Sequence, residues 1–62
     1  MRAQWLGGPK DGEWLHLRTD NPVTVLVGSH DHPTKLQIKP ERRNGIWVLD
    51  FYNATIVEED HG

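Results

Sequence analysis

Thr34-Lys35-Leu36-Gln37-Ile38-Lys39-Pro40-Glu41-Arg42-Arg43-Asn44-Gly45-Ile46-Trp47-Val48-Leu49-Asp50-Phe51-Tyr52 is the stretch on which the fold turns. In its first part Leu36 and Ile38 alternate with Lys35, Gln37 and Lys39. In its last part Trp47, Leu49 and Phe51 fall on one side of an extended chain and Ile46, Val48 and Tyr52 on the other. A period of two is the mark of a strand with one buried face. Between the two parts stands Pro40 to Asn44, rich in charge and unable to continue a ladder at the proline. The stretch therefore predicts two strands, 34–39 and 45–52, paired as a hairpin across Pro40 to Asn44.

Outward from it, turn signals recur at short intervals: Gly7-Gly8-Pro9-Lys10-Asp11-Gly12, Asp20-Asn21-Pro22, and Gly28 to Pro33. They bound further strands at about 2–7, 13–19, 23–28 and 54–58, and no segment between them is long enough for a helical repeat of apolar residues. The expectation is an all-β domain spanning 1–62 with five to six short strands and no significant helix. Its architecture is expected to be a small SH3-like barrel or a strongly twisted antiparallel sheet, with residues 58–62 as an acidic tail. Trp5, Leu15, Leu17, Val25, Val27, Leu36, Ile38, Trp47, Leu49 and Phe51 are its expected core.

The chain has 62 residues, 35% apolar and 26% charged, with no cysteine. Disulfide staples, a cysteine-based zinc site and a thiol nucleophile are excluded, and a reducing compartment is the natural setting. No apolar run approaches the twenty or so residues of a membrane span and no signal-like segment opens the chain. A soluble protein of the cytoplasm, with no membrane partner, is expected. Net charge is −2, split unevenly: residues 1–44 carry all seven Lys and Arg against five acids, and residues 45–62 carry four acids and no base. Such a balance lacks the basic excess on which affinity for phosphate backbones depends.

Trp14, Leu26, Ile46, Val48 and Tyr52 all lie opposite the assigned core, an apolar second face whose cover is expected from barrel closure, a homodimer or a docked partner. They are the candidate partner-binding anchors, with Arg42 and Arg43 as the charged rim that orients the partner. Lys35, Lys39, Arg42 and Arg43, beside Trp47 or Tyr52, make an alternative platform for single-stranded nucleic acid on a hairpin 35–47; the plainer reading is the solvent face of an alternating strand. His30 and His32 point the same way on an extended segment and are the one candidate metal pair, with Asp31, His16 or His61 to complete a set, although the loop is also an ordinary polar turn. Ser29 beside His30 does not make a nucleophile and base, because neighbours on an extended chain point apart. No enzyme activity and no cofactor are expected.

The turn Gly7-Gly8-Pro9-Lys10-Asp11-Gly12 is built for a hairpin: proline presets φ, Asp11 bonds a nearby amide, and Gly12 takes a positive φ. It matches no phosphate-binding loop. With the short apolar strand before it and the aromatic strand Ile46 to Tyr52 later, this Gly-Gly-Pro-x-Asp-Gly turn resembles small proteins encoded by tailed phages and prophages, especially those of actinobacteria. Many of those carry a long proline-rich stretch after the second strand, absent here. The resemblance implies origin and size class and carries no activity. By analogy with small phage accessory proteins, which commonly bind a host protein, the expectation is a non-catalytic module that binds a protein of the bacterial host, as an inhibitor or a recruiter. A small nucleic-acid-binding barrel, or a self-assembling subunit associated with the virion, is the alternative.

Overall fold

The computed structural model describes residues 1–59. Seven strands run in chain order: β1 Arg2–Leu6, β2 Trp14–His16, β3 Val23–Gly28, β4 Pro33–Ile38, β5 Glu41–Arg43, β6 Ile46–Asp50 and β7 Thr55–Glu59. A single 3₁₀ turn, Phe51–Asn53, is the only helical element among the described residues. The strands form two small sheets, ordered β2-β1-β6-β5 and β3-β4-β7. The all-β expectation holds. The sheets do not close into a barrel, so of the two architectures expected the small twisted sheet is the one found. β1 and β6 pair in parallel, and every other pairing is antiparallel.

The chain changes sheet three times, and apolar residues mark the crossings. Leu17 is buried after β2, Pro40 is buried between β4 and β5, and Phe51 and Ala54 are half-buried between β6 and β7. Pro40 also overturns the expected hairpin of 34–39 with 45–52. Without an N–H and with φ fixed, it ends the β4 ladder. β4 instead pairs with β3 on one side and β7 on the other. β6 takes its antiparallel partner from Glu41–Arg43, across Asn44-Gly45. Both turn residues have positive φ, 53° and 79°, the geometry that makes Asn-Gly the strongest two-residue hairpin signal.

The core lies between the inner faces of the two sheets. Ala3, Trp5, Leu17 and Leu49 from one side meet Val27, Leu36 and Ile38 from the other, with Leu15, Val23, Val25, Trp47 and Phe51 packed around them. Every residue expected in the core is in this cluster or against it. Ala3, unforeseen, is fully buried: the registers place it between Leu15 and Trp47, where a small side chain makes room for the indole. β7 reaches Glu59, into the acidic segment expected as a tail; Asp60 to Gly62 lie outside the described residues.

The loop between β1 and β2 has the geometry its residues dictate. Asp11 N–H donates to the Gly8 carbonyl (3.3 Å) with Pro9 at the second position, and Glu13 N–H donates to the Lys10 carbonyl (2.9 Å). The Asp11 carboxylate accepts from Gly7 N–H at 2.7 Å. Gly7 and Gly8 have φ of 81° and 75°, and their backbone is pressed against the rings that follow β6. A Cβ on Gly7 would lie 2.3 Å from the Tyr52 ring, and one on Gly8 2.5 Å from the Phe51 ring, whereas one on Gly12 would meet nothing.

This contrast separates backbone strain from packing. Gly12→Ala, which also has positive φ, is expected to cost about 1–2 kcal/mol from the left-handed conformation alone. Gly8→Ala adds the overpacking of Phe51, about 1–3 kcal/mol more. Urea denaturation of the two variants checks it; equal losses would mean that the glycine serves only the turn.

Candidate functional site

Alternation fixes what the four-stranded sheet shows to solvent. Arg2, Gln4 and Leu6 of β1, Trp14 and His16 of β2, Ile46, Val48 and Asp50 of β6, and Glu41 and Arg43 of β5 point away from the core. Across this outer face the register aligns Trp14, Gln4, Val48 and Glu41 in one row. Leu6, Trp14 and Ile46 are each between 44% and 47% exposed, and Val48 is half-buried. The result is an apolar surface of four side chains broken only by Gln4.

Its margin is organised by charge. Arg43 Nη2 donates to the carboxylates of Glu41 and of Asp50, the latter at 2.8 Å. Hydrogen bonds to both acids hold the guanidinium pKa above its ordinary value, Asp50 contributing most, so the group stays charged at any accessible pH. Asp50 has further work: its carboxylate accepts from Tyr52 N–H (3.1 Å) and from Asn53 Nδ2 (3.3 Å), capping the 3₁₀ turn. On the opposite margin the Arg2 guanidinium lies 4.8 Å from the centre of the Trp14 ring. The outer face thus has an ionic margin along β5 and a cation–π margin along β2.

The seven residues picked from the sequence as partner contacts do not all come together. Trp14, Ile46 and Val48 share the outer face. Leu26, 60% exposed, belongs to the other sheet and meets Trp14 only across a groove of about 170 Å³ between β2 and β3, which Trp5, Leu15 and Val25 floor. Tyr52 lies beyond the end of β6, 77% exposed, with its ring edge-to-face on Phe51 and over Gly7. Arg42 and Arg43, adjacent on β5, point to opposite sides: Arg42 is registered with Trp47 and sits over its ring, at 5.6 Å. They cannot serve together as one rim. The period that was used for the apolar residues applies to these arginines too, and Leu6 on the outer face was missed for the same reason.

The basic platform is likewise divided. Lys35 lies on β4 in the three-stranded sheet, registered with Leu26 and Glu58, while Arg42 and Arg43 are on the other sheet and Arg43 is engaged by two acids. A hairpin 35–47 does not exist. His30 and His32 are exposed in the loop closing β3 and β4, where the Ser29 hydroxyl accepts from His32 N–H at 3.0 Å. Among the described residues no three His, Asp or Glu side chains gather as a metal site; His61 lies outside those residues. Among the described residues no charged or polar side chain is buried, and no helix is long and apolar enough to cross a membrane.

No protein-family model, curated protein or solved structure matches the chain. The functional reading therefore rests on the side chains described above.

Asp50 joins the ionic margin to the 3₁₀ turn, and substitutions divide its two duties. Asp50→Ala removes cap and ion pair together, with an expected loss of about 0.5–2 kcal/mol from the cap alone. Asp50→Asn keeps an oxygen for Tyr52 N–H and is expected to lose less, with a smaller salt dependence than the native chain. Thermal melts at low and high salt measure both.

Proposed function

We propose that this chain is a non-catalytic protein-interaction module whose docking surface is the outer face of the four-stranded sheet. The observation that carries the reading is the grouping of Leu6, Trp14, Ile46 and Val48 on that one face, with the Arg43 ion pairs at the β5 margin and Arg2 over Trp14 at the β2 margin. Interfaces are built in this way: aromatic and aliphatic anchors in the middle, polar groups and arginine around them. Pre-organisation favours binding further, since Arg43 and Trp14 are already held by neighbours and lose little freedom on contact. A ligand-sized active site has little support. The grooves at β2/β3, at the β3–β4 hairpin and beside Pro22 and Thr55 measure about 170, 250 and 230 Å³, below the roughly 300 Å³ at which small-molecule sites begin.

The partner in this proposal is a protein of a bacterial host, and the chain is a phage or prophage accessory protein acting in the host cytoplasm. The Gly7 to Gly12 turn supports that origin, through its resemblance to phage-encoded proteins. A nucleic-acid partner is disfavoured by the division of Lys35, Arg42 and Arg43 between two sheets and two faces.

The test is affinity capture from an actinobacterial lysate, with and without nuclease, comparing the native chain with Ile46→Glu. Ile46 is 44% exposed, so the variant is expected to melt like the native chain. A protein captured by the native chain, surviving nuclease, and weakened about 30-fold or more by Ile46→Glu is the expected outcome, the size of a central anchor's loss. Capture that vanishes with nuclease, or that Ile46→Glu leaves intact, overturns the proposed surface.

A further inference from the structure

Two open-edged sheets have four edge strands, and in this protein they are not protected alike. β5 is three residues long and consists of Glu41, Arg42 and Arg43. β2 is also three residues long. β7 carries Glu58 and Glu59 and pairs with β4 through a register shift. Shortness, charge and irregularity are the devices that stop an edge from recruiting another strand. β3 has none of them. It runs six residues, Val23-Thr24-Val25-Leu26-Val27-Gly28, in unbroken register with β4. No charge and no proline stands within it, and the uncharged run extends from Asn21 to Ser29.

Its other side is open. Among the described residues no backbone hydrogen bond reaches β3 except from β4. In an antiparallel pair alternate residues turn their N–H and C=O groups away from the partner strand. Val25 and Leu26 of β3 share a groove with Trp14 and Leu15, and Lys10 and Glu13 also line it, so the unpaired edge adjoins a surface of mixed apolar and charged side chains.

We infer that β3 is a self-association edge, and that its occupant is β3 of a second copy of this chain, paired antiparallel to give a continuous sheet across two protomers. The sequence of the strand supplies the complementarity. Pairing about a two-fold axis at Val25 sets Val23 opposite Val27 and Thr24 opposite Leu26, β-branched and aliphatic cross-strand pairs of the kind that stabilise an antiparallel ladder. The valines then extend the inner face and no charge is brought against another. A foreign segment would find no charge on this edge to fix its direction or register, whereas the two-fold arrangement fixes both. The edge and the partner surface proposed above meet at Trp14, which belongs to both, but Ile46 and Val48 lie on the other sheet and away from this groove, so the Ile46→Glu test and the test of this inference fail separately.

Light scattering across a dilution series of the native chain, with charge variants on Thr24 and Leu26, tests it. The native protein is expected at twice its 7.1 kDa mass at high concentration. The variants Thr24→Lys/Leu26→Lys and Thr24→Glu/Leu26→Glu are each expected at the single-chain mass, since like charges then stand opposite in the paired register. Mixing the two is expected to restore the doubled mass. A native chain of single mass throughout, charge variants that stay dimeric, or folded variants that fail to complement each overturn the inference. Hydrogen exchange on the native chain gives a readout free of substitutions: in the dimer the amides of β3 are protected in succession, whereas alternate fast exchange at high concentration overturns it.

Discussion

The parallel pairing of β1 with β6 is the constraint to which the other elements answer. Parallel neighbours cannot be joined by a tight turn. Between Leu6 and Ile46 the chain must therefore leave the sheet and come back, and it uses the excursion to build β3 and β4 as the opposing layer. The pairing brings Trp5 opposite Leu49 and Ala3 opposite Trp47, which together form the floor of the core. At the end of the pair, Gly7 and Gly8 let the β1–β2 loop lie directly on Phe51 and Tyr52. Closing so long a loop costs entropy that only native contacts repay, and the two glycines permit the closest of them. The Gly-Gly that reads as turn chemistry is equally a packing surface.

Much of this was legible in the chain itself. Alternation in 34–39 and 45–52 and the even spacing of turns were enough for the all-β class, because burial on one face imposes a period of two whatever the partner strand. The expected core survived for the same reason: Leu36, Ile38 and Leu49 are buried whichever neighbours they have. Pairing was less legible. Pro40 and the Asn44-Gly45 turn together point to a short strand at Glu41–Arg43, yet three charged residues carry no apolar alternation by which to see it. The β1/β6 contact has no local signal at all. Ala3 was invisible because its role is set by the bulk of Trp47 in a distant strand.

The candidate surface shows the same division between local and non-local information. The exposure of Trp14 and Ile46 follows from the period of their own strands, and the sequence places them on the side away from the core. Their grouping depends on strand order, which puts Leu26 on another sheet and Tyr52 past a strand end. Arg42 and Arg43 are the clearest case. As neighbours in sequence they look like one basic feature; as neighbours on a strand they have separate fates, one stacked on Trp47 and the other clasped by Glu41 and Asp50. Nominal positive charge there is partly neutralised, which reduces any field reaching a phosphate backbone.

The polar groups of the described residues lie toward the outside. Here the described core holds no polar side chain, and the charged groups sit at the margins of exposed sheet. A domain this small leaves a large share of its surface exposed. What it has in excess is surface: an apolar row on one sheet and an unguarded strand edge on the other. The two lie on different sheets, so a second copy along β3 leaves Ile46 and Val48 of the outer face uncovered. A two-fold pair would present that face twice, and a partner with two or more sites would be held by both, raising avidity without any change in the contacts each face makes. In the two proposals, then, self-association along β3 and partner binding through Ile46 and Val48 are complementary.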